Sequence, residues 1–344
     1  MTAAIDLHPI SAWERFLMKP QALRTAPVSL SCYALLTLLL AWAPPPVAAD
    51  PTPPQNLAWV GHSLVPIHTR DHLRTVLSSR DMSSSVRVQL TPGGSLRQNW
   101  NQPAGGVNDW HGTRNVKDEE LPRGIYDGFM FTEAIPVASQ HRWNDSRGYA
   151  VRWVSLARQH NPNASIFMFE GWPSWSWNDG VLWDSERDQP WVASIRQADK
   201  QLWLDIKNHV AEETGVIPTV VPGGHAFARL FDAIESGEAP PELSWEDMWS
   251  DDIHFTGSWG GGNANGRHFM TALKLAYIYR IDPRGMEPRA RDRRGTPYDL
   301  ELTSDEVGRF LETLAWELAL NPPYQESQDI AARPNPPTDL RASW

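Results

Sequence analysis

Leu57-Ala58-Trp59-Val60-Gly61-His62-Ser63-Leu64 is the stretch that decides how this chain folds. Four consecutive apolar residues with proline-rich sequence ahead and glycine behind read as a short strand buried on both faces. Gly61 to Leu64 then reads as a tight turn, with Ser63 just beyond the carboxyl end of the strand. A serine in that position becomes a nucleophile if a histidine takes its proton and a carboxylate orients the histidine. Far along the chain, Asp251-Asp252-Ile253-His254 supplies both groups. Asp251 stands three residues before His254, so a single turn can aim both side chains at one place. Asp252 faces elsewhere and reads as a solvated or capping carboxylate.

Working outward, strands alternate with helices. The spacing predicts a helix over 68–79 and a strand over 86–90 that stops at Thr91-Pro92-Gly93-Gly94. The stretch 99–121 has no period and reads as loop. Strands follow over 126–132, 165–169 and 216–221, the last halted by Pro222-Gly223-Gly224. Helices are predicted over 147–160, 190–214, 226–234, 266–279 and 304–320, with Ser304 as the N-cap of the last. The tryptophan-rich stretch 174–189 reads as a second long loop. This order implies a mostly parallel sheet with helices on both faces, whose ligands gather beyond the carboxyl ends of the strands. No internal repeat is visible, and a single domain over 57–320 is expected.

The first 49 residues read as a targeting signal. Arg15, Lys19 and Arg24 precede an apolar run from Val28 to Ala43, and Val47-Ala48-Ala49 forms a small-residue cleavage site. The run is short for a membrane span, so no stable insertion is expected after cleavage, and the mature chain is expected in the periplasm or outside the cell. Residues 50–56 form a proline-rich lead-in and 321–344 a proline-rich tail. The single cysteine, Cys32, lies in the leader, which excludes disulfides and a cysteine nucleophile from the rest. A formal charge of −10 argues against a nucleic-acid partner. His111, His141 and His225 stand alone, and His254 and His268 lack carboxylate companions at ligand spacing, so no metal or other cofactor is expected.

Taken together, Gly61-His62-Ser63-Leu64 and Asp251-x-x-His254 resemble the motifs of the SGNH (GDSL-like) hydrolases over roughly 57–320. The resemblance implies a three-layer α/β/α sandwich of the SGNH-hydrolase (flavodoxin-like) type. It also implies Ser63 as nucleophile, His254 as base and Asp251 as the group that orients it. The family's oxyanion hole maps onto the Ser63 N–H, onto Gly94 (preferred over Gly93) and onto Glu133, which stands where the family has asparagine. An ionised carboxylate cannot donate to an oxyanion. Glu133 is therefore protonated by burial, or has a different role, or is replaced by a donor such as Asn101 or Asn144.

Of the 18 tryptophans, several lie in polar stretches. Trp172, Trp175 and Trp177 are candidates for stacking on sugar rings, the alternative being that they pin a long loop to the sheet. Trp110, Trp143 and Trp183 have similar surroundings, and Arg97, Arg114 and Arg142 offer cations for acidic groups on a sugar. The expectation is an exported serine esterase that removes acetyl or other short acyl groups from a small-molecule or polysaccharide ester. The alternatives are a polysaccharide O-acyltransferase with the same triad and an inactive glycan-binding relative.

Overall fold

The computed structural model describes residues 53–82, 84–102, 114–259, 263–291 and 295–324. The expected leader, Cys32, Trp110, His111 and the tail beyond Tyr324 lie outside those residues.

Five parallel strands form the central sheet: β1 (Asn56–Gly61), β2 (Ser85–Leu90), β3 (Gly128–Phe131), β4 (Ser165–Phe169) and a strand at Thr219–Val221, labelled β8 below. Their spatial order is β2-β1-β3-β4-β8, with β1 paired to both β2 and β3. Successive side chains on a strand point to opposite faces, and β1 feeds two cores in this way. Leu57 and Trp59 enter one apolar cluster, Ala58 and Val60 the other. The continuous apolar run is thus the signature of a strand covered on both sides, and the α/β/α arrangement follows.

Helices fill the two outer layers. Against the Leu57/Trp59 face lie α1 (Ile67–Ser79), α7 (Gly223–Glu235), α8 (Asn265–Ile278) and α9 (Asp305–Leu320). The other face carries α2 (Leu96–Asn101), α4 (Ser146–His160) and α6 (Lys200–Thr214). Between α2 and α4 runs α3 (Val137–Asn144), and a short α5 (Trp191–Ser194) leads through a π turn at Ile195–Asp199 into α6. Helix α9 starts at the predicted cap: the Ser304 hydroxyl accepts from Val307 N at 3.1 Å. Within the described residues no helix is long and apolar enough to cross a membrane.

Three segments depart from the sequence expectation. The supposed loop 174–189 is an antiparallel sheet of β5 (Trp175–Asn178), β6 (Val181–Asp184) and β7 (Gln189–Pro190). Its tight connection places Asp179 at φ 51° and Gly180 at φ 79°, the left-handed pair of a type I′ hairpin turn. The supposed loop 99–121 begins inside α2, which a reciprocal cap between Ser95 and Gln98 starts. A further hairpin joins β9 (Arg289–Arg291) to β10 (Pro297–Asp299).

Candidate functional site

Strand β1 ends at Gly61, a position with no room for a side chain. A Cβ there would lie 2.4 Å from Val65 Cγ2 and 2.7 Å from Thr132 Cγ2. The chain turns at once, closed by Val65 N donating to His62 O at 3.0 Å, and Ser63 sits half-buried on the outside of that turn. His62 points inward, with its Nε2 2.9 Å from Glu133 O. A carbonyl only accepts, so Nε2 carries the proton. Burial pushes the imidazole down to about pH 4, so the ring is neutral at physiological pH; the Glu133 bond opposes this and the charge of His254 adds to it. The residue beside Ser63 therefore lies within electrostatic reach of His254.

The second half of the site is a tight loop between Trp249 and Phe255, which form an antiparallel bridge. Asp251 Oδ1 accepts from Ile253 N at 2.9 Å and His254 N at 2.6 Å, while Oδ2 lies 2.8 Å from His254 Nδ1. The carboxylate thus folds its own loop and orients the ring. Burial alone would raise the Asp251 carboxyl, but the bonds from His254 N, Ile253 N and the His254 ring outweigh it and hold it below the usual aspartate range. With Nδ1 turned to Asp251, Nε2 is the nitrogen left to act as a base. Asp252 is exposed, as expected, and its carbonyl accepts from Trp175 N at 3.0 Å.

One contact fixes this loop at the carboxyl edge of the sheet, and a second holds the segment just after it. Trp172 Nε1 donates to Ile253 O at 2.9 Å from just beyond β4. His68, in the first turn of α1, lies with its Nδ1 2.9 Å from Ser258 O. Helix α1, which follows the Ser63 turn, is thus tied to the segment just after the His254 loop; among the described residues no hydrogen bond joins Ser63 to His254.

The tryptophan expectation needs correction. Trp172 is fully buried, packed against Phe227 and Trp249, and Trp175 is 9% exposed beside Trp245 and Trp249. These two indoles hold the Asp251–His254 loop to the body and cannot stack on a ligand. Trp177, on β5, is 40% exposed.

Two of the expected oxyanion donors are also corrected. Gly94 N is spent inside its own turn, donating to Thr91 O at 2.8 Å, with Gly93 at φ 63°. Gly94 is glycine because a Cβ would collide with Thr91. Glu133 is fully buried, and its Oε1 accepts from Leu96 N at 3.0 Å and Ala134 N at 2.7 Å. Burial raises its carboxyl to about pH 7, against the bonds from Ala134 N and Leu96 N that favour the anion. Its other oxygen is buried without a hydrogen-bond partner. Glu133 anchors the start of α2 from the interior, with its carboxyl sealed from solvent and burial favouring its protonated form. Asn144 Nδ2 is turned to Gln140 Oε1 at 2.6 Å.

Sequence reasoning missed Asn99, fully buried on α2. Its Nδ2 donates to Gly61 O and Ser95 O, both at 3.1 Å, and so clasps the end of β1 to the turn after β2. His225, which stands alone in the sequence, and His268, which has no carboxylate at ligand spacing, each gain one in the fold. His225 Nδ1 lies 2.7 Å from Glu170 Oε1, which also accepts from the Tyr324 hydroxyl, and His268 Nε2 lies 2.9 Å from Glu312 Oε1. These contacts are between residues remote in sequence, which spacing along the chain cannot reveal. Among the described residues no three His, Cys, Asp or Glu side chains form a group able to hold a metal. A cleft of about 590 Å³ opens at the opposite, amino edge of the sheet, beside Asn56, Ser85, Arg74 and Arg291, away from Ser63 and His254.

No protein-family model matches the chain, and no curated protein matches it in sequence. Among solved structures it is similar to a DUF4886 family protein from Bacteroides uniformis. The TM-score is 0.52 at 15% identity, over 79% of this chain and 96% of that one. At that identity the likeness shows a shared fold.

Proposed function

We propose that the chain is an exported serine hydrolase of SGNH type that removes short acyl groups, acetyl foremost, from a carbohydrate ester. The observation that carries this reading is the Asp251–His254 pair: a carboxylate locked by two backbone N–H groups and bonded to the Nδ1 side of an imidazole, at the sheet edge where the Ser63 turn also lies. In the mechanism His254 Nε2 takes the Ser63 proton as Oγ attacks the ester carbonyl carbon. The tetrahedral intermediate then collapses, the ester C–O bond breaks, and the leaving alcohol takes the proton from His254. Water, deprotonated by the same nitrogen, attacks the acyl-serine; the carbonyl carbon–Oγ bond breaks, Oγ takes the proton back from His254, and the acid is released. With Gly94 N engaged elsewhere, the Ser63 N–H is the donor that remains of the expected oxyanion set. Exposed Trp177, beside the Asp251 loop, suits a sugar face.

The test is hydrolysis of p-nitrophenyl acetate by the wild-type chain and by Ser63→Ala and His254→Ala. Each substitution is expected to lower kcat/KM by at least about a thousandfold with folding intact. Equal rates in wild type and Ser63→Ala overturn the nucleophile; no turnover by the folded wild-type chain overturns the esterase reading.

A further inference from the structure

Trp143 is 70% exposed, at the last turn of α3. A singly exposed indole is ordinary in itself; its neighbours are what single it out. The Arg142 guanidinium carbon lies 5.9 Å from the Trp143 ring centroid. From α2, Arg97 Nη1 donates to Trp143 O at 3.3 Å, which brings a second guanidinium to the same helix end. Both arginines are exposed, and among the described residues neither is paired with a carboxylate. Asp145, two residues on, has its carboxylate turned to Gly148 N at 3.2 Å as the cap of α4. Two cations without a carboxylate partner thus flank an exposed indole on a chain whose formal charge is −10.

The patch belongs to the functional edge of the sheet. Helix α2 follows β2 through the turn that Asn99 clasps to Gly61, and its first residue is held by Glu133, just beyond β3. Trp143 is therefore linked to the Ser63 turn through α2, on a different side from Trp177, which β5 carries beside the Asp251 loop.

We infer that Arg97, Arg142 and Trp143 form a subsite for an acidic sugar: the indole takes the apolar face of a pyranose ring and the guanidiniums take its carboxylate or sulfate. Sugar C–H faces stack on indole, and guanidinium forks match planar or tetrahedral oxyanions by paired hydrogen bonds. Two cations suit one anionic unit. A long polyphosphate would meet the acidic remainder of the surface. This rests on the esterase reading for its biological sense and makes the substrate an ester on an acidic glycan.

The experiment is direct calorimetric binding of unesterified probes, in which no turnover occurs: trigalacturonate, a sulfated trisaccharide, neutral cellotriose and a single-stranded oligonucleotide. Wild type is expected to bind at least one acidic trisaccharide about tenfold more tightly than cellotriose, with the preference lost at high salt. Trp143→Ala should weaken acidic-sugar binding about tenfold, and Arg97→Gln with Arg142→Gln should erase the acidic preference while leaving neutral-sugar binding in place. The trigalacturonate and sulfate arms tell which anion is read. The subsite is overturned if wild type binds no trisaccharide, if neutral and acidic sugars bind alike, if folded variants match wild type, or if the oligonucleotide binds best. Because hydrolysis is not measured, failure here is separable from failure of the Ser63 test.

Discussion

Lys274, on α8, is an amine sealed inside the fold. It is fully buried, its Nζ lies 3.5 Å from Met270 O and 4.5 Å from the Phe169 ring centroid, and burial lowers it to about pH 7. The unfolded chain holds that proton up to roughly pH 10.4, so between the two values it binds more proton than the folded chain and stability rises with pH. Below pH 7 the charged amine costs folding several kcal/mol. Lys274→Met, of similar reach, is expected to raise the melting temperature at pH 7 and to abolish the rise in stability between about pH 7 and 10. Thermal melts across that range check it; a variant no more stable than wild type at pH 7 removes the argument. At this scale the sequence was partly legible. Asp251 and His254 are three residues apart, and their bond is local, so spacing revealed it. Asn99 and Gly61, or Glu133 and Leu96, meet only after the sheet has assembled, and nothing in their spacing marks them.

At the scale of elements, the β5–β6–β7 hairpin and the segment from Gly171 to Trp175 act as a brace for the Asp251–His254 loop. Trp172→Phe removes the N–H that Ile253 O accepts and leaves a void among Phe227, Trp249 and Phe255. The expected cost is about 1–3 kcal/mol of stability. If the esterase reading holds, kcat for p-nitrophenyl acetate should fall more than KM changes, because the loop that orients the base has lost its tether. Urea unfolding and steady-state kinetics test the two halves separately; unchanged kcat in a destabilised variant would limit Trp172 to packing. The brace carried signals that a tryptophan-rich composition obscured. Asp179-Gly180 is a hairpin turn pair, but Trp175, Ser176 and Trp177 are buried, exposed and exposed, with no period-two pattern to declare a strand. Ser95 and Gln98 likewise formed a readable cap for α2, a helix too short for periodicity to register.

Across the whole molecule, the fold was the most legible feature because buried parallel strands leave unbroken apolar runs, and β1 and β4 show them plainly. The least legible was what closes the far side of the sheet. Glu170, beyond β4, is fully buried and is satisfied by His225 from α7 and by Tyr324, after the last helix. Tyr324→Phe leaves that carboxylate short of a donor and should cost about 1–3 kcal/mol, measured as a lower urea midpoint with unchanged slope. A midpoint equal to wild type would show that Tyr324 is a passenger. Electrostatics shows the same dependence on assembly. Burial holds His62, His72 and His141 below the ordinary imidazole range. Of these, His62 stands beside Ser63, and its interior setting keeps it uncharged to about pH 4. It serves as electrical insulation at the end of β1: when an acidic compartment titrates the surface, no new repelling centre arises next to His254 from within the fold.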